Sequence, residues 1–213
     1  MLELALKTLL AYLLGSLIGG LIVGQLRGGV DIRTMGSGNA GGTNALRTQG
    51  VGFAVWVMLI DIGKGWIAAG VLPYFAWPGV PIDPLIERDW LAVACATAAV
   101  LGHVYPVWYG FRGGKGAATL VGVVLGLDPV ALGPVLGVWL LVLVTTGYVG
   151  LSTMLATLSF VIFLLVFERA SDALLTFGIG MCLFVCYTHR ANIDRMRAGT
   201  ENRANRVWLL RPR

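Results

Sequence analysis

The sequence predicts an all-α polytopic membrane protein, a bundle of seven transmembrane helices of which one is short. Three observations lead to this prediction. Hydrophobic residues make up 57% of the 213 residues. They gather into runs long enough to cross a bilayer as helices. The lysines and arginines fall mainly between alternate runs, which is the charge asymmetry of a multi-pass protein.

A helix that crosses a bilayer needs about 17–25 largely apolar residues. Six runs approach or reach this length, at about 4–24, 51–72, 90–108, 130–146, 149–167 and 173–188. A seventh run, at about 116–127, is shorter and can cross only where the bilayer is thin or neighbouring helices bury it. No linker separates the runs, so the sequence predicts a single domain over residues 1–213.

The distribution of basic residues predicts the orientation of the chain. Seven crossings place residues 25–50, 109–116, 147–148 and 189–213 on the same side of the membrane. That side carries twelve of the sixteen lysines and arginines. Because basic loops stay in the cytoplasm, the N-terminus is expected outside the cell and the C-terminus in the cytoplasm.

Three of the cytoplasmic segments are rich in groups that bind anions. The first, "GSGNAGGTNALR", occupies residues 36–47. Its glycines let backbone N–H groups converge on an anion, and Arg47 offers a planar cation that suits bidentate phosphate binding. Further side-chain donors in this segment are Ser37, Asn39, Thr43 and Asn44.

The second segment, "GHVYPVWYGFRGGKGAAT", occupies residues 102–119. Close approach of the backbone is permitted by Gly113, Gly114 and Gly116, and Lys115 supplies a point charge. A helix is expected directly afterwards, and its N-terminus favours an anion. The spacing of glycines and lysine differs from that of a Walker A loop. We therefore expect phosphate binding here without nucleoside triphosphate hydrolysis.

The third segment, "HRANIDRMRAGTEN", occupies residues 189–202 and follows the last apolar run. His189 suits general acid–base work or hydrogen bonding. Asn192 follows three residues later, on the same helix face if the helix continues. Arg197 and Arg203 are interpreted as positive charges at the membrane surface.

Two charged residues lie inside the apolar run 51–72. Asp61 and Lys64 are three residues apart, and charges within a membrane usually pair and face the interior of a bundle. Two interpretations stay open: a structural ion pair, or one wall of the functional site. The cysteines and histidines lack metal-ligand spacing, so no metal site is expected.

Together the three segments predict a cytoplasmic pocket at the level of the lipid that binds a small phosphorylated ligand. No residue has the surroundings of an activated nucleophile, which favours direct transfer between two substrates over a covalent intermediate. The alternative is a transporter of a phosphorylated small anion, since glycine loops at helix ends are typical of transporters. The sequence has no recognisable inverted repeat, and its polar residues gather on one side, which weighs against transport.

The three segments resemble the motifs of the bacterial acyl-phosphate-dependent glycerol-3-phosphate acyltransferases, the PlsY-type family. Those motifs are roughly G-S-G-N-P-G-A-T-N-x-x-R, G-H-x-x-P-x-x-x-x-F-[KR]-G-G-K-G-x-A-T and H-x-x-N-I-x-R-L-x-x-G-x-E. Their order and spacing agree along nearly the whole chain. Mild departures are Ala40 for proline, Gly42 for alanine and Met196 for leucine.

A fourth stretch of the family, T-[KR]-Y-x-S-L, is matched less well by "TGYVGLS" at residues 146–152. Gly147 replaces the basic residue and Gly150 replaces the serine. Only Tyr148 is carried over from this stretch.

The resemblance implies an enzyme that moves an acyl group from acyl phosphate to the 1-hydroxyl of glycerol 3-phosphate. The products would be lysophosphatidic acid and phosphate, in the first step of phospholipid synthesis. It also implies a multi-pass protein of the bacterial inner membrane whose active site faces the cytoplasm, with no metal and no bound cofactor. Its partners would be the two substrates and membrane lipid, and no nucleic acid.

The resemblance also implies roles for single residues. The catalytic residues would be Ser37, Arg47, Lys115, His189 and Asn192. The substrate-binding residues would be Asn39, Thr43, Asn44, His103, Gly113, Gly114, Gly116 and Glu201. Lys115 and the glycines beside it would hold the phosphate of glycerol 3-phosphate. Either His189 or the leaving phosphate would take the proton of the attacking hydroxyl, and the leaving phosphate is slightly favoured.

Overall fold

The computed structural model describes residues 1–205 and 207–210. All regular secondary structure in this part of the chain is helical, which confirms the predicted all-α fold. The chain forms two compact units, Met1–Pro129 and Val130–Arg213. Three arginines that contributed to the predicted orientation, Arg206, Arg211 and Arg213, lie outside the described residues.

The first unit is built from six α-helices. They are α1 (Leu2–Gly15), α2 (Gly19–Leu26), α3 (Gly42–Gln49), α4 (Val51–Trp66), α5 (Arg88–Val104) and α6 (Ala117–Leu127). A π-helical turn, Ile67–Val71, continues α4, and 3₁₀ turns at Ile32–Thr34 and Val107–Tyr109 shape two loops. α1 packs on α5, and α4 packs on both α2 and α6.

The first apolar run is bent, whereas the sequence suggested one continuous crossing. α1 and α2 meet at 50°. The break takes the Leu17 carbonyl and the Gly19 N–H out of the helical hydrogen-bond pattern. Lys64 Nζ donates to Leu17 O at 2.7 Å, and Asp61 Oδ1 accepts from the Gly19 N–H at 3.1 Å. The charged pair of α4 therefore satisfies backbone groups that the bend exposes within an apolar environment.

The short seventh run is a helix, α6, of 11 residues. It packs so closely on α4 that a Cβ at Gly122 would lie 1.9 Å from Ile62 O. The two helices run in the same direction, because Gly65 lies against Thr119 and Gly70 lies against Gly126. Neighbouring helices therefore bury much of α6, as the sequence required of so short a segment.

The described residues of the second unit form four α-helices, α7 (Leu132–Thr146), α8 (Val149–Val166), α9 (Asp172–Thr188) and α10 (Arg190–Arg197). α8 packs against both α7 and α9. α9 and α10 meet at 55°. The last apolar run therefore does not continue straight into the third motif.

Among the described residues, four helical segments are long and apolar enough to cross a membrane: Val51–Val71, Arg88–Tyr109, Pro129–Thr146 and Val149–Val166. The number rises to six if each of the two bent helix pairs is one crossing. Burial within the fold differs between them, from 17% for Pro129–Thr146 to 67% for Arg88–Tyr109. The largely uncovered apolar surface of α7 suits contact with lipid.

Candidate active site

The loop of the first motif is organised around the side chain of Asn44. Its amide nitrogen lies 2.9 Å from Ile32 O and 3.0 Å from both Met35 O and Asn39 O. Its oxygen accepts from the Ser37 N–H at 2.9 Å. Asn44 is only 1% exposed. The Asn44 side chain therefore orders the loop. The sequence had predicted that it would contact the substrate instead.

Other predicted residues of this segment face solvent. Ser37, Thr43 and Arg47 are exposed, and Asn39 is partly exposed. Thr43 and Arg47 lie one turn apart on α3 and therefore share a face of that helix. A ligand can reach these side chains, whereas Asn44 is closed off by its own loop.

Arg33 connects the loop of the first motif to the loop of the second. Its guanidinium donates to Arg112 O at 2.8 Å and to Tyr109 O at 3.3 Å. It is also paired with Asp31 at 2.8 Å, and this hydrogen-bonded pair holds the pKa of the Asp31 carboxyl below its ordinary value. The sequence did not indicate this role, since Arg33 stood out only as one of the basic residues of the segment 25–50.

The glycine hairpin of the second motif is pressed against His103. A Cβ at Gly113 would lie 2.0 Å from His103 O, and one at Gly114 would lie 2.1 Å from His103 Nε2. The Gly113 N–H donates to Val104 O and the Gly114 N–H to His103 O, both at 3.1 Å. These two amides are therefore used within the hairpin. Their expected donation to a phosphate does not fit this geometry, and the two glycines act instead by allowing close packing.

The chain leaves the hairpin through Lys115 and enters α6. Lys115 is partly exposed, and Gly116 is the N-cap residue of α6. The first N–H groups of any α-helix have no acceptor within the helix, and the helix dipole makes that end attractive to anions. Lys115 and the start of α6 thus bring a cation and backbone donors to the same place, as the sequence predicted.

His103 is itself held by the buried charged pair of α4. Lys64 Nζ lies 2.8 Å from Asp61 Oδ1 and 2.9 Å from His103 Nδ1, and all three side chains are at most 3% exposed. With its bond to Leu17 O, the Lys64 ammonium uses its three hydrogens. His103 Nδ1 therefore accepts, and the ring proton lies on Nε2, beside Gly114. The Asp61–Lys64 pair thus contacts backbone groups of the bend and, through His103, supports the hairpin of the second motif.

In the second unit, His189 lies at the bend between α9 and α10. It is 4% exposed, and its Nδ1 is 2.9 Å from Val185 O. A carbonyl oxygen can only accept, so the proton of a neutral His189 ring lies on Nδ1. The lone pair is then on Nε2, which is the atom that can accept a proton or a hydroxyl hydrogen bond.

Asn192 and Glu201 are joined directly. Asn192 Nδ2 donates to Glu201 Oε1, and Arg195 Nε donates to Glu201 Oε2, both at 2.6 Å. A Cβ at Gly150 would lie 3.1 Å from the Asn192 side chain, so the glycine that replaces the family's serine leaves room for this residue. Glu201 is thus placed to support Asn192, and Arg195 is a partner that the predicted set lacked.

The predicted residues therefore fall into two groups. The first unit brings together the loops that carry Ser37 to Arg47 and His103 to Gly116, with Arg33 between them. The second unit brings together His189, Asn192 and Glu201. Within residues 1–205 and 207–210, no group of three His, Cys, Asp or Glu side chains is arranged to hold a metal ion.

Comparison with known proteins gives a consistent result. A family model described as glycerol-3-phosphate acyltransferase matches residues 5–199. A glycerol-3-phosphate acyltransferase of Chlorobium limicola is 38% identical over 218 residues, covering 91% of this chain and 93% of the relative. The corresponding protein of Chlorobaculum tepidum is 38% identical over 215 residues, with the same coverage.

Two solved structures are similar along nearly the whole chain. Both are crystal structures of PlsY, an integral membrane glycerol 3-phosphate acyltransferase. The glycerol 3-phosphate form is 36% identical and the lysophosphatidic acid form is 35% identical. Each has a TM-score of 0.81 and covers 94% of both chains.

Proposed function

The chain belongs to the glycerol-3-phosphate acyltransferase family, and from this premise we propose that it acylates the 1-hydroxyl of glycerol 3-phosphate with acyl phosphate as the donor. The products are lysophosphatidic acid and inorganic phosphate. One observation carries the proposal: PlsY, a neighbour of 35–36% identity, has a glycerol 3-phosphate form and a lysophosphatidic acid form, and these two ligands differ by one acyl group. The family match also favours this enzyme over the transporter alternative.

The phosphate of glycerol 3-phosphate binds at Lys115 and the first turn of α6. The hairpin supports this role because its glycines pack against His103 and are followed directly by Lys115 and the N-terminus of α6. A dianion there gains a charge-assisted hydrogen bond from lysine and the favourable end of the helix dipole. Gly116, the N-cap residue, lets the backbone approach the phosphate.

The acyl phosphate binds against the exposed side of the first motif. Arg47 offers two parallel N–H donors to its phosphate, and Thr43 lies on the same face of α3. Ser37 and Asn39 add donors from the loop that Asn44 orders. Charge develops on the carbonyl oxygen and the leaving phosphate during transfer, and fixed donors stabilise it.

His189 and Asn192 orient the attacking glycerol. The hydroxyl oxygen forms a bond to the acyl carbon, the bond from that carbon to the phosphate oxygen breaks, and the hydroxyl proton leaves. Nε2 of His189 can accept this proton, because Nδ1 is committed to Val185 O. The departing phosphate can also accept it, and we slightly favour this route since the phosphate lies next to the hydroxyl.

The protein crosses the bacterial inner membrane seven times, with the N-terminus outside and the active site in the cytoplasm. α1 and α2 form one bent crossing, and α6 is the short one. The common direction of α4 and α6 supports this count, because two crossings separated by one other must run in parallel. The basic residues of the three motif segments support the orientation.

The test is an acyl-transfer assay with purified protein in lipid. Glycerol 3-phosphate is supplied with acyl phosphate, acyl-CoA or acyl carrier protein thioester in parallel. We expect lysophosphatidic acid from acyl phosphate alone, loss of product in Lys115→Ala, and retained activity in Arg27→Ala, which removes an exposed charge outside the motifs. Product from a thioester would refute the donor assignment, and no product from any donor would refute the proposed function.

A further inference from the structure

The last described residues of the chain lie against the junction between α7 and α8. The Ala204 N–H donates to Gly147 O at 2.8 Å, and the Leu209 N–H donates to Val144 O at 2.9 Å. This part of the chain follows the segment that matches the family model, which ends at residue 199. These contacts therefore lie beyond the segment that the family model matches.

Arg203 lies against two aromatic rings at this junction. Its guanidinium carbon is 4.5 Å from the centre of the Tyr148 ring and 4.1 Å from that of Trp208. Trp208 is fixed in turn, since its Nε1 donates to Thr145 O at 2.9 Å. A ring stacked on a guanidinium contacts its face and leaves the N–H donors along its edge for other partners.

Those donors have no acceptor among the residues that the structure describes. Within residues 1–205 and 207–210, no oxygen accepts a hydrogen bond from the Arg203 guanidinium, and the side chain is exposed. By contrast, Arg33, Arg88 and Arg195 each hold a carboxylate. The sequence from 202 to 213 contains four arginines and no acidic residue. An anion from outside the protein is the natural partner for this fixed cation.

The surroundings of Arg203 indicate which anion. Leu209 and Leu210, next to Trp208, are 77% and 68% exposed. Large apolar side chains beside a tryptophan and a basic residue are typical of the boundary between lipid headgroups and acyl chains. A ligand with a phosphate and acyl chains would contact both the cation and the leucines, whereas a free phosphate would use the cation alone.

We propose that Arg203, clasped by Tyr148 and Trp208, binds the phosphate of an anionic membrane lipid whose acyl chains lie against Leu209 and Leu210. Gly147 makes the arrangement possible. Its φ is +76°, and a Cβ there would lie 3.2 Å from both Arg203 Cβ and Trp208 Cγ. The C-terminal segment thus supplies a cation beside a position where this chain has no side chain.

Native mass spectrometry of the full-length protein in a neutral detergent tests the proposal. Phosphatidic acid and phosphatidylcholine with matched acyl chains are offered together. We expect the wild-type protein to retain phosphatidic acid, and Arg203→Gln to weaken that retention about tenfold, as expected for loss of a charge-assisted bidentate contact. Arg197→Gln is the matched control, because it removes an exposed charge from the nearby end of α10 and should bind as the wild type does.

Two further variants test the clasp. Arg203→Lys keeps the charge but loses the planar fork, and Trp208→Leu removes one ring, so both should lose most of the preference. If Arg203→Gln and Arg197→Gln weaken the retention of phosphatidic acid equally, or if Arg203→Lys retains it fully, the lipid is attracted by diffuse surface charge and the proposed site at Arg203 is wrong. Displacement of the lipid by millimolar inorganic phosphate would show that free phosphate is the ligand and overturn the proposal. Thermal unfolding of each variant confirms that it is folded.

Discussion

At the scale of single residues, His103 links two features that look unrelated in the sequence. Its Nδ1 contacts Lys64 in the apolar run 51–72, and its Nε2 lies against Gly114 in the hairpin of the second motif. The position of the hairpin therefore depends on a buried ion pair in another helix. A change that moves His103 or Gly114 should displace Lys115, which follows in the chain, without removing any proposed ligand of the phosphate.

Gly114→Ala tests this dependence. The added Cβ would lie 2.1 Å from His103 Nε2, so either the ring or the hairpin must move. We expect the KM for glycerol 3-phosphate to rise about tenfold or more, because a misplaced lysine loses its charge-assisted contact. Steady-state kinetics measure the change, and Gly63→Ala is the control since its Cβ would meet open space. An unchanged KM in Gly114→Ala would show that the hairpin tolerates displacement.

Asn44→Ala removes the side chain that orders the loop of the first motif. Three carbonyls and one N–H lose their partner, and we expect a loss of about 1–3 kcal/mol in stability, typical of a buried amide whose partners are left unsatisfied. Thermal unfolding and protease cleavage near residues 32–39 measure it. Gln49→Ala, on the same helix with one weak contact to the Met35 sulfur, should leave both unchanged. Equal stability in the two variants would contradict the assigned role.

How much of the site the sequence could predict depends on where the partner groups lie. The donors of the three motifs are close together in the chain, so composition and spacing revealed them. The role of Arg33 could not be predicted, because its partners are backbone carbonyls 76 and 79 residues away, and every residue has a carbonyl. The inward position of Asn44 could not be predicted either, because the residue type does not indicate whether an asparagine side chain contacts its own loop or a substrate.

At the scale of helices, the bend between α1 and α2 is coupled to α4. Hydropathy alone predicted one straight helix for this apolar run of about 20 residues. A sign of the break was present elsewhere, in two charges within the run 51–72. Asp61 accepts a hydrogen bond from the Gly19 N–H, and Lys64 donates one to the Leu17 carbonyl, at the break in the helix. These hydrogen bonds offset part of the free-energy cost of burying the two charged side chains.

Lys64→Met should therefore be strongly destabilising. It leaves Asp61, Leu17 O and His103 Nδ1 without their shared donor, and removing one partner of a buried ion pair costs about 3–5 kcal/mol. The double variant Asp61→Asn/Lys64→Met should recover part of this loss, because it also removes the unpaired charge. Thermal unfolding in lipid measures the stability of the wild type, the single variant and the double variant. A single variant as stable as the wild type would show that the pair does not support the bend.

At the scale of the whole molecule, the number of crossings decides which loops share a side of the membrane. Length favours counting only the longer helices, since α6 has 11 residues. Charge favours counting α6, because without it the basic loops would fall on both sides. Its close packing on α4 supports the proposed crossing, since a helix covered by neighbours does not need to match the full thickness of the bilayer.

Single cysteines at Thr34, Leu85 and Thr200, each exposed in the structure, test this count by parity. Five crossings separate Leu85 from Thr200 if α6 is one of them, and four if it is not. We therefore expect a membrane-impermeant maleimide to label Leu85→Cys in intact cells, and Thr34→Cys and Thr200→Cys only after permeabilisation. The native Cys95, Cys182 and Cys186 lie within helices, and the unsubstituted protein gives their background. Labelling of Leu85→Cys and Thr200→Cys from the same side would exclude α6 as a crossing. If each of the three cysteines were labelled from the side opposite to the expected one, the number of crossings would stand. The orientation that the basic residues predict would then be reversed.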